Sequence, residues 1–161
     1  QNLGTSREEA QKFYNDYFAE FSTLAKYLDD VKTETASRGY TETFYGRRRY
    51  FEGIKSKIPF IRASAERMAI NAPIQGTEAD VIKLAMIRVQ EYLVAQKLEK
   101  DVYPLLQVHD ELIYEIRKDK AVKVAAEIEK IMKSVMDPKD TKGVVLEAKG
   151  SVGDNWGELK S

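Results

Sequence analysis

Hydrophobic and polar positions alternate with two different periods along this chain, and each change of period marks an element. Phe13, Tyr14, Tyr17, Phe18, Phe21, Leu24, Ala25 and Leu28 recur at helical spacing. Thr5 or Ser6 is placed to cap the start, and Glu8 and Glu9 stand in the first turn, where carboxylates complement the helix dipole. The pattern runs to about Arg38 and stops at Gly39, while Phe21-Ser22-Thr23 can offset it into two helices. Tyr40 to Phe44 and Arg49 to Phe51 then alternate around Gly46, as a short hairpin does. A helix is predicted over 61–72 and should end there, because Pro73 lacks an N–H and disfavours helical geometry at Ala72. Thr77 reads as the N-cap of the next helix, with Asp80 at its third position. Val81, Ile82, Leu84, Ala85, Ile87, Val89 and Leu93 carry that helix to about Lys97.

Farther on, strand-favouring residues run toward His109-Asp110-Glu111 from both sides, which predicts a hairpin of 102–108 and 112–116 with a polar tip. Ala121, Val122, Val124, Ala125, Ile128, Ile131, Met132 and Val135 make an amphipathic helix ended by Asp137-Pro138. Val144 to Ala148 reads as a further strand beside the hairpin, and Trp156 as an anchor for the tail. The fold class expected is α+β, with helices packed on a small antiparallel sheet.

Composition changes this picture little. The chain has 161 residues, enough for one or two small domains with a core. Lys and Arg together number 26, as do Asp and Glu, so any surface for a polyanion must come from local segregation of charge. The absence of Cys excludes disulfides and thiolate metal sites. No apolar run approaches the ~20 residues that span a bilayer and no secretory signal is visible, so a soluble intracellular protein without a membrane partner is expected.

Three groups of residues could carry chemistry. Asp110 and Glu111 share a tight turn with the single histidine, His109. A turn holds such side chains clear of the strands, where hard oxygen ligands can meet Mg²⁺ and phosphates; the plainer alternative is an ordinary acidic turn. Arg47, Arg48 and Arg49 form a compact positive patch suited to phosphate or to solvent alone. Arg67, Asn71 and Gln75 are spaced by four, which on a helix drifts ~40° per step and keeps them on one face. They are donors of useful reach, and the DNA minor groove offers acceptors at every pair regardless of sequence. A solvated helix face is the alternative, with Gln75 expected in a connector beyond Pro73.

The wording of these segments decides among the alternatives. Gln107-Val108-His109-Asp110-Glu111-Leu112 resembles motif C of the family A DNA polymerases. Arg67-Met68-Ala69-Ile70-Asn71-Ala72-Pro73-Ile74-Gln75-Gly76-Thr77-Glu78-Ala79-Asp80 resembles the helix and connector that precede it in that family. Tyr45-Gly46-Arg47-Arg48-Arg49-Tyr50 and Val152-Gly153-Asp154-Asn155-Trp156 match as well, so the likeness covers essentially the whole chain in order.

The resemblance implies template-directed addition of deoxynucleotides to a primer 3′ end, by phosphoryl transfer with two Mg²⁺ ions ~3.5–4 Å apart. It implies Asp110 as a metal ligand, with Glu111 supporting or transiently ligating. Arg67, Asn71, Gln75, Gln107 and His109 become contacts to DNA near the primer terminus, and Arg47, Arg48 and Arg49 contacts to its backbone. Residues 1–58 correspond to the end of the fingers and 59–161 to the C-terminal part of the palm. The earlier strand motif with the second essential aspartate is absent from this sequence, as is the fingers helix that grips the nucleotide. Expected partners are therefore primer-template DNA, deoxynucleoside triphosphates and a separate N-terminal polymerase part, in the cytoplasm at the nucleoid or in a phage-infected cell. Alone, the piece is expected to be inactive; a non-catalytic duplex-binding module, one subunit of a split polymerase and a purely structural protein are the other readings.

Overall fold

The computed structural model describes residues 6–159. These fall into two compact units that divide between Thr77 and Glu78, and four α-helices and two separate two-stranded antiparallel sheets are present among the described residues. The class is α+β, as expected.

In the first unit, α1 (Arg7–Glu20) and α2 (Ser22–Arg38) meet at the offset predicted at Phe21. Ser6 caps α1 in a capping box with Glu9: the Ser6 hydroxyl accepts the Glu9 N–H at 3.2 Å, and the Glu9 carboxylate accepts the Ser6 N–H at 2.9 Å. Gly39 ends α2 with φ 83°, a left-handed conformation that glycine adopts without strain. Strands β1 (Tyr40–Glu42) and β2 (Arg48–Tyr50) then pair, Tyr40 opposite Tyr50. A 3₁₀ turn, Glu52–Lys55, places Phe51 and Ile54 against Ala65, Ala69 and Ala72. Small alanines on that face let the turn approach the next helix closely.

That helix corrects the sequence reading. Instead of ending at Ala72 and restarting at Thr77, α3 runs unbroken from Pro59 to Ala95 with Pro73 inside it. An interior proline removes one helical hydrogen bond and costs on the order of 3 kcal/mol. Here the buried faces on either side offset that cost: Ala65, Ala69 and Ala72 before the proline, then Ile82, Ala85, Val89 and Leu93 after it. Thr77 is no N-cap. Its hydroxyl donates to the Pro73 carbonyl at 2.6 Å and accepts the Phe44 N–H at 2.9 Å. Gln75 accordingly lies within the helix, not in a connector.

In the second unit, Val89 and Leu93 of α3 pack with Val102 of β3 (Val102–Val108) and with Val124 and Ile128 of α4 (Ala121–Lys133). Strand β4 (Glu111–Ile116) pairs antiparallel with β3 and contributes Tyr114 and Ile116 to this core. The register shifts by one residue between Pro104 and Leu106, a bulge that the period-two reading does not contain. Asp101 closes the base of the hairpin, accepting from Arg117 at 2.7 Å and from Lys120 at 2.5 Å.

The strand expected at 144–148 does not form, and none of residues 143–159 is buried. Polar links hold that segment instead. The Gly150 N–H donates to the Glu129 carboxylate at 2.9 Å, and Lys118 pairs with Asp154 at 3.0 Å. Trp156 sits in a 3₁₀ turn, Trp156–Leu159, and is 47% exposed, so it does not anchor the tail by burial. Among the described residues no helix is long and apolar enough to cross a membrane.

Candidate functional site

The helix α3 builds the donor row from its own geometry. With the helix unbroken through Pro73, Arg67, Asn71 and Gln75 all remain at fourfold spacing on one helix, and all three are exposed. Ala65, Ala69 and Ala72 are buried on its other side, so packing leaves the donor face free. None of the three side chains makes a hydrogen bond or ion pair among the described residues.

The arginine patch divides into three different environments. Arg47 is held to the helix: its Nη2 donates to the Gly76 carbonyl at 2.9 Å, and its backbone N–H donates to the Thr43 hydroxyl at 3.2 Å. Arg48 lies in β2, its Nε donating to the Glu42 carboxylate at 2.7 Å and its guanidinium 4.6 Å from the centre of the Tyr40 ring. The hydrogen bond to Glu42 is the chief reason its proton is held more tightly than in an ordinary arginine. Arg49 is exposed, 5.4 Å from the centre of the Phe51 ring, and has no carboxylate partner among the described residues. Sequence alone treats the three as equivalent, whereas the fold leaves Arg49 the freest to meet a phosphate.

Gly76 and Thr77 are positions that seat the basic hairpin on α3 and that sequence reasoning missed. A Cβ at residue 76 would lie 2.6 Å from Thr43 Cγ2, so only glycine admits the β1–β2 loop this close to α3. The glycine inside an otherwise helical run, directly after Gln75, is the signal that could have revealed this approach.

The β3–β4 tip is a two-residue turn. Val108 pairs with Glu111, leaving His109 and Asp110 as the loop. His109 has φ 54°, in the left-handed region that non-glycine residues enter at a cost. The Gln107 side chain donates to the His109 carbonyl at 3.2 Å and braces the turn from within. Asp110 and Glu111 are both exposed, and neither carboxylate has a protein partner among the described residues. Sequence and structure thus agree in bringing Gln107, His109, Asp110 and Glu111 together. No cluster of three or more potential metal-ligating side chains occurs among the described residues.

A model of DNA polymerase family A matches residues 1–158. DNA polymerase I of Pseudomonas aeruginosa is 39% identical over 98% of this chain and 17% of its own length. The thermostable DNA polymerase I of Thermus aquaticus is 39% identical over 97% of the chain and 18% of its own length. A solved structure described as the POL domain of Pol1 from M. smegmatis, in complex with DNA primer-template and dNTP, is 39% identical. It superposes with a TM-score of 0.79 over 85% of this chain and 24% of that one. The chain spans less than a fifth of the length of these two curated relatives. On a family match over nearly its whole length, the chain belongs to the family A DNA polymerases.

Proposed function

We propose that this chain is the C-terminal part of a DNA-directed DNA polymerase, extending a primer 3′ end with deoxynucleotides once the remainder of the polymerase completes it. The observation that carries this reading is the β3–β4 tip. Two neighbouring carboxylates there have no Lys or Arg partner among the described residues, at a turn held at positive φ, within a chain of this family. The division of the chain into a fingers part, 1–58, and a palm part, 59–161, belongs to the same reading.

The donor set suits Mg²⁺, which binds proteins through one or two carboxylates and takes its other ligands from water and phosphate. Asp110 would hold the ion and Glu111 would support it; the rest of a two-ion site would come from another strand. Both strands of the isolated hairpin are edges, and Tyr103, Leu105 and Leu106 are about half exposed, which supports a further strand pairing or packing there. When bound, the metal supplies Lewis-acid stabilisation of charge on the transferring phosphoryl group. Arg67, Asn71 and Gln75 would donate to minor-groove acceptors, sensing pair shape without reading sequence. Gln107 would position His109 by bracing its turn, and His109 would contact the primer end. Arg49, followed by Arg48, would meet backbone phosphates, while Arg47 holds the hairpin on α3. The substrates would be primer-template DNA and deoxynucleoside triphosphates, in the cytoplasm or at the nucleoid.

Primer extension with Mg²⁺ tests the reading. The chain alone should incorporate nothing. Combined with the missing polymerase part, or within the full-length enzyme, it should extend the primer, and Asp110→Asn should abolish extension without lowering the melting temperature. An active, destabilised Asp110→Asn variant would make Asp110 a turn-forming residue and refute its catalytic role. Sequence-independent DNA binding with no extension by the completed enzyme would favour the non-catalytic module. Residues 47–67 support that alternative too, carrying seven Lys and Arg against two Glu in a chain with no net charge.

A further inference from the structure

The donor row of α3 is divided by the proline inside the helix. Arg67 and Asn71 precede Pro73, and Gln75 follows it. Pro73 has no N–H to give to the Ala69 carbonyl, so the bonding of the helix is interrupted between the first two donors and the third. The alignment of Gln75 with the others therefore depends on how the turn 73–77 is held. The Thr77 hydroxyl holds it from two directions, donating to the Pro73 carbonyl at 2.6 Å and accepting the Phe44 N–H at 2.9 Å. The loop at the far end of the second bond is itself closed. The Thr43 N–H donates to the Arg47 carbonyl at 2.9 Å, and the Gly46 N–H donates to the Thr43 carbonyl at 2.9 Å. Arg47 returns to the same helical turn through its bond to the Gly76 carbonyl, one residue from Gln75. Thr77 is half-buried, whereas Gln75, two positions away, is exposed.

We propose that Thr77 is a positioning residue for discrimination at the primer terminus, its hydroxyl setting Gln75 in register with Arg67 and Asn71. The inference rests on the minor-groove reading of that row and adds the residue on which the row's alignment depends. A correctly formed pair offers its minor-groove acceptors at fixed places, and a mispair displaces them. Three donors in register gain their bonds only on the correct pair. Shifting Gln75 removes that gain, and leaves a mispair, which never had it, as it was. Thr77 thus governs the ratio between matched and mismatched ends, whereas a hydroxyl that only stabilised the helix would change both rates together. Direct contact with the groove does not suit Thr77. Its single hydroxyl proton goes to the Pro73 carbonyl, so it has none to give to a groove acceptor.

Primer extension by the completed polymerase tests this, comparing kcat/KM on a matched and on a mismatched primer 3′ end. Thr77→Val should lower the matched-to-mismatched ratio by about three- to tenfold, the worth of one misplaced hydrogen bond, through the matched end alone. Thr77→Ser, which keeps the hydroxyl, should restore the ratio. In a Gln75→Ala background, where the ratio is already reduced, Thr77→Val should lower it no further. All variants are assayed below the lowest melting temperature of the set. Should Thr77→Val not fold, Thr77→Cys, whose thiol donates and accepts weakly, carries the same comparison. Equal losses on matched and mismatched ends would overturn the proposal and make Thr77 a structural residue. So would a further fall of the ratio in the Gln75→Ala background, because Thr77 would then act through another group. If Gln75→Ala lowers the ratio and Thr77→Val does not, only this inference fails. If Gln75→Ala leaves the ratio unchanged, the minor-groove reading of the row fails with it.

Discussion

The backbone N–H of Phe44 donates to the hydroxyl of Thr77 at 2.9 Å, tying the β1–β2 loop to the middle of α3. The same hydroxyl donates to the Pro73 carbonyl, so one side chain serves both the helix past its proline and the seat of the basic hairpin. Thr77→Val keeps the shape and removes both bonds. It should cost about 1 kcal/mol in chemical denaturation, and Thr77→Ser should restore most of it. Equal stability of the Val variant and the unaltered protein would mean that water replaces the hydroxyl at no cost.

Gly76 sets two effects against each other. In a helix interior, Gly→Ala is worth up to about 1 kcal/mol in favour of alanine. The added Cβ would stand 2.6 Å from Thr43 Cγ2, and such overpacking costs about 1–3 kcal/mol. The clash should win, so Gly76→Ala should be destabilising. Thr43→Ser keeps the hydroxyl that accepts the Arg47 N–H and deletes the obstructing methyl. In that background Gly76→Ala should become neutral or stabilising. A double-mutant cycle on thermal melting reads the coupling, and additive effects would disprove the contact.

His109 at φ 54° predicts an unusual order of stabilities. A left-handed conformation costs an L-residue roughly 1–2 kcal/mol, most for β-branched side chains and nothing for glycine. His109→Gly should therefore leave the melting temperature unchanged or raise it, and His109→Val should lower it. Equal melting of the Gly and Val variants would show that the turn relaxes to negative φ.

The tail should respond to acid. Glu129 accepts from Lys133 at 2.7 Å and from the Gly150 N–H, and these bonds, the Lys133 one foremost, hold its carboxyl below the ordinary value of 4.5. A lowered folded value stabilises the protein above the unfolded value, and that contribution is lost as pH falls through the folded value. Attachment of residues 143–159 should thus be constant above pH 4.5 and weaken below it. Trp156, the single tryptophan, supplies the fluorescence readout. Glu129→Gln should remove the step, and an identical acid profile in that variant would reject the link.

Residues with strong local signals were legible from sequence. A cap at Ser6, one of the two candidates, Gly39, and the apolar runs around His109-Asp110-Glu111 each act within a few positions, and the structure places them as read, adding the reciprocal bond from Ser6 to Glu9. Pro73 misled because its local penalty is outweighed by packing along α3, a sum that no short window contains. Val144 and Val145 have strand propensity but pair with no strand among the described residues, and propensity without a partner makes no strand. At the candidate site, the identities of Arg47, Arg48 and Arg49 were visible, but not their division of labour. That depends on Gly76, Glu42 and Phe51, which the fold brings to them.

The register shift at Leu105 gives β3 one residue more than its partner strand. Pro104 faces Tyr114 and Leu106 faces Ile113, so Leu105 is a supernumerary residue between two regularly paired halves. Side chains alternate across a strand, and the extra residue leaves Leu106 on the opposite face from Pro104, as Ile113 is from Tyr114. Deleting Leu105 would thus let Leu106 follow Pro104 directly with the pairings on either side unchanged. Point substitution at Leu105 and its excision are therefore different perturbations: the first alters a half-exposed surface, the second the local bend and added twist that a bulge gives its strand.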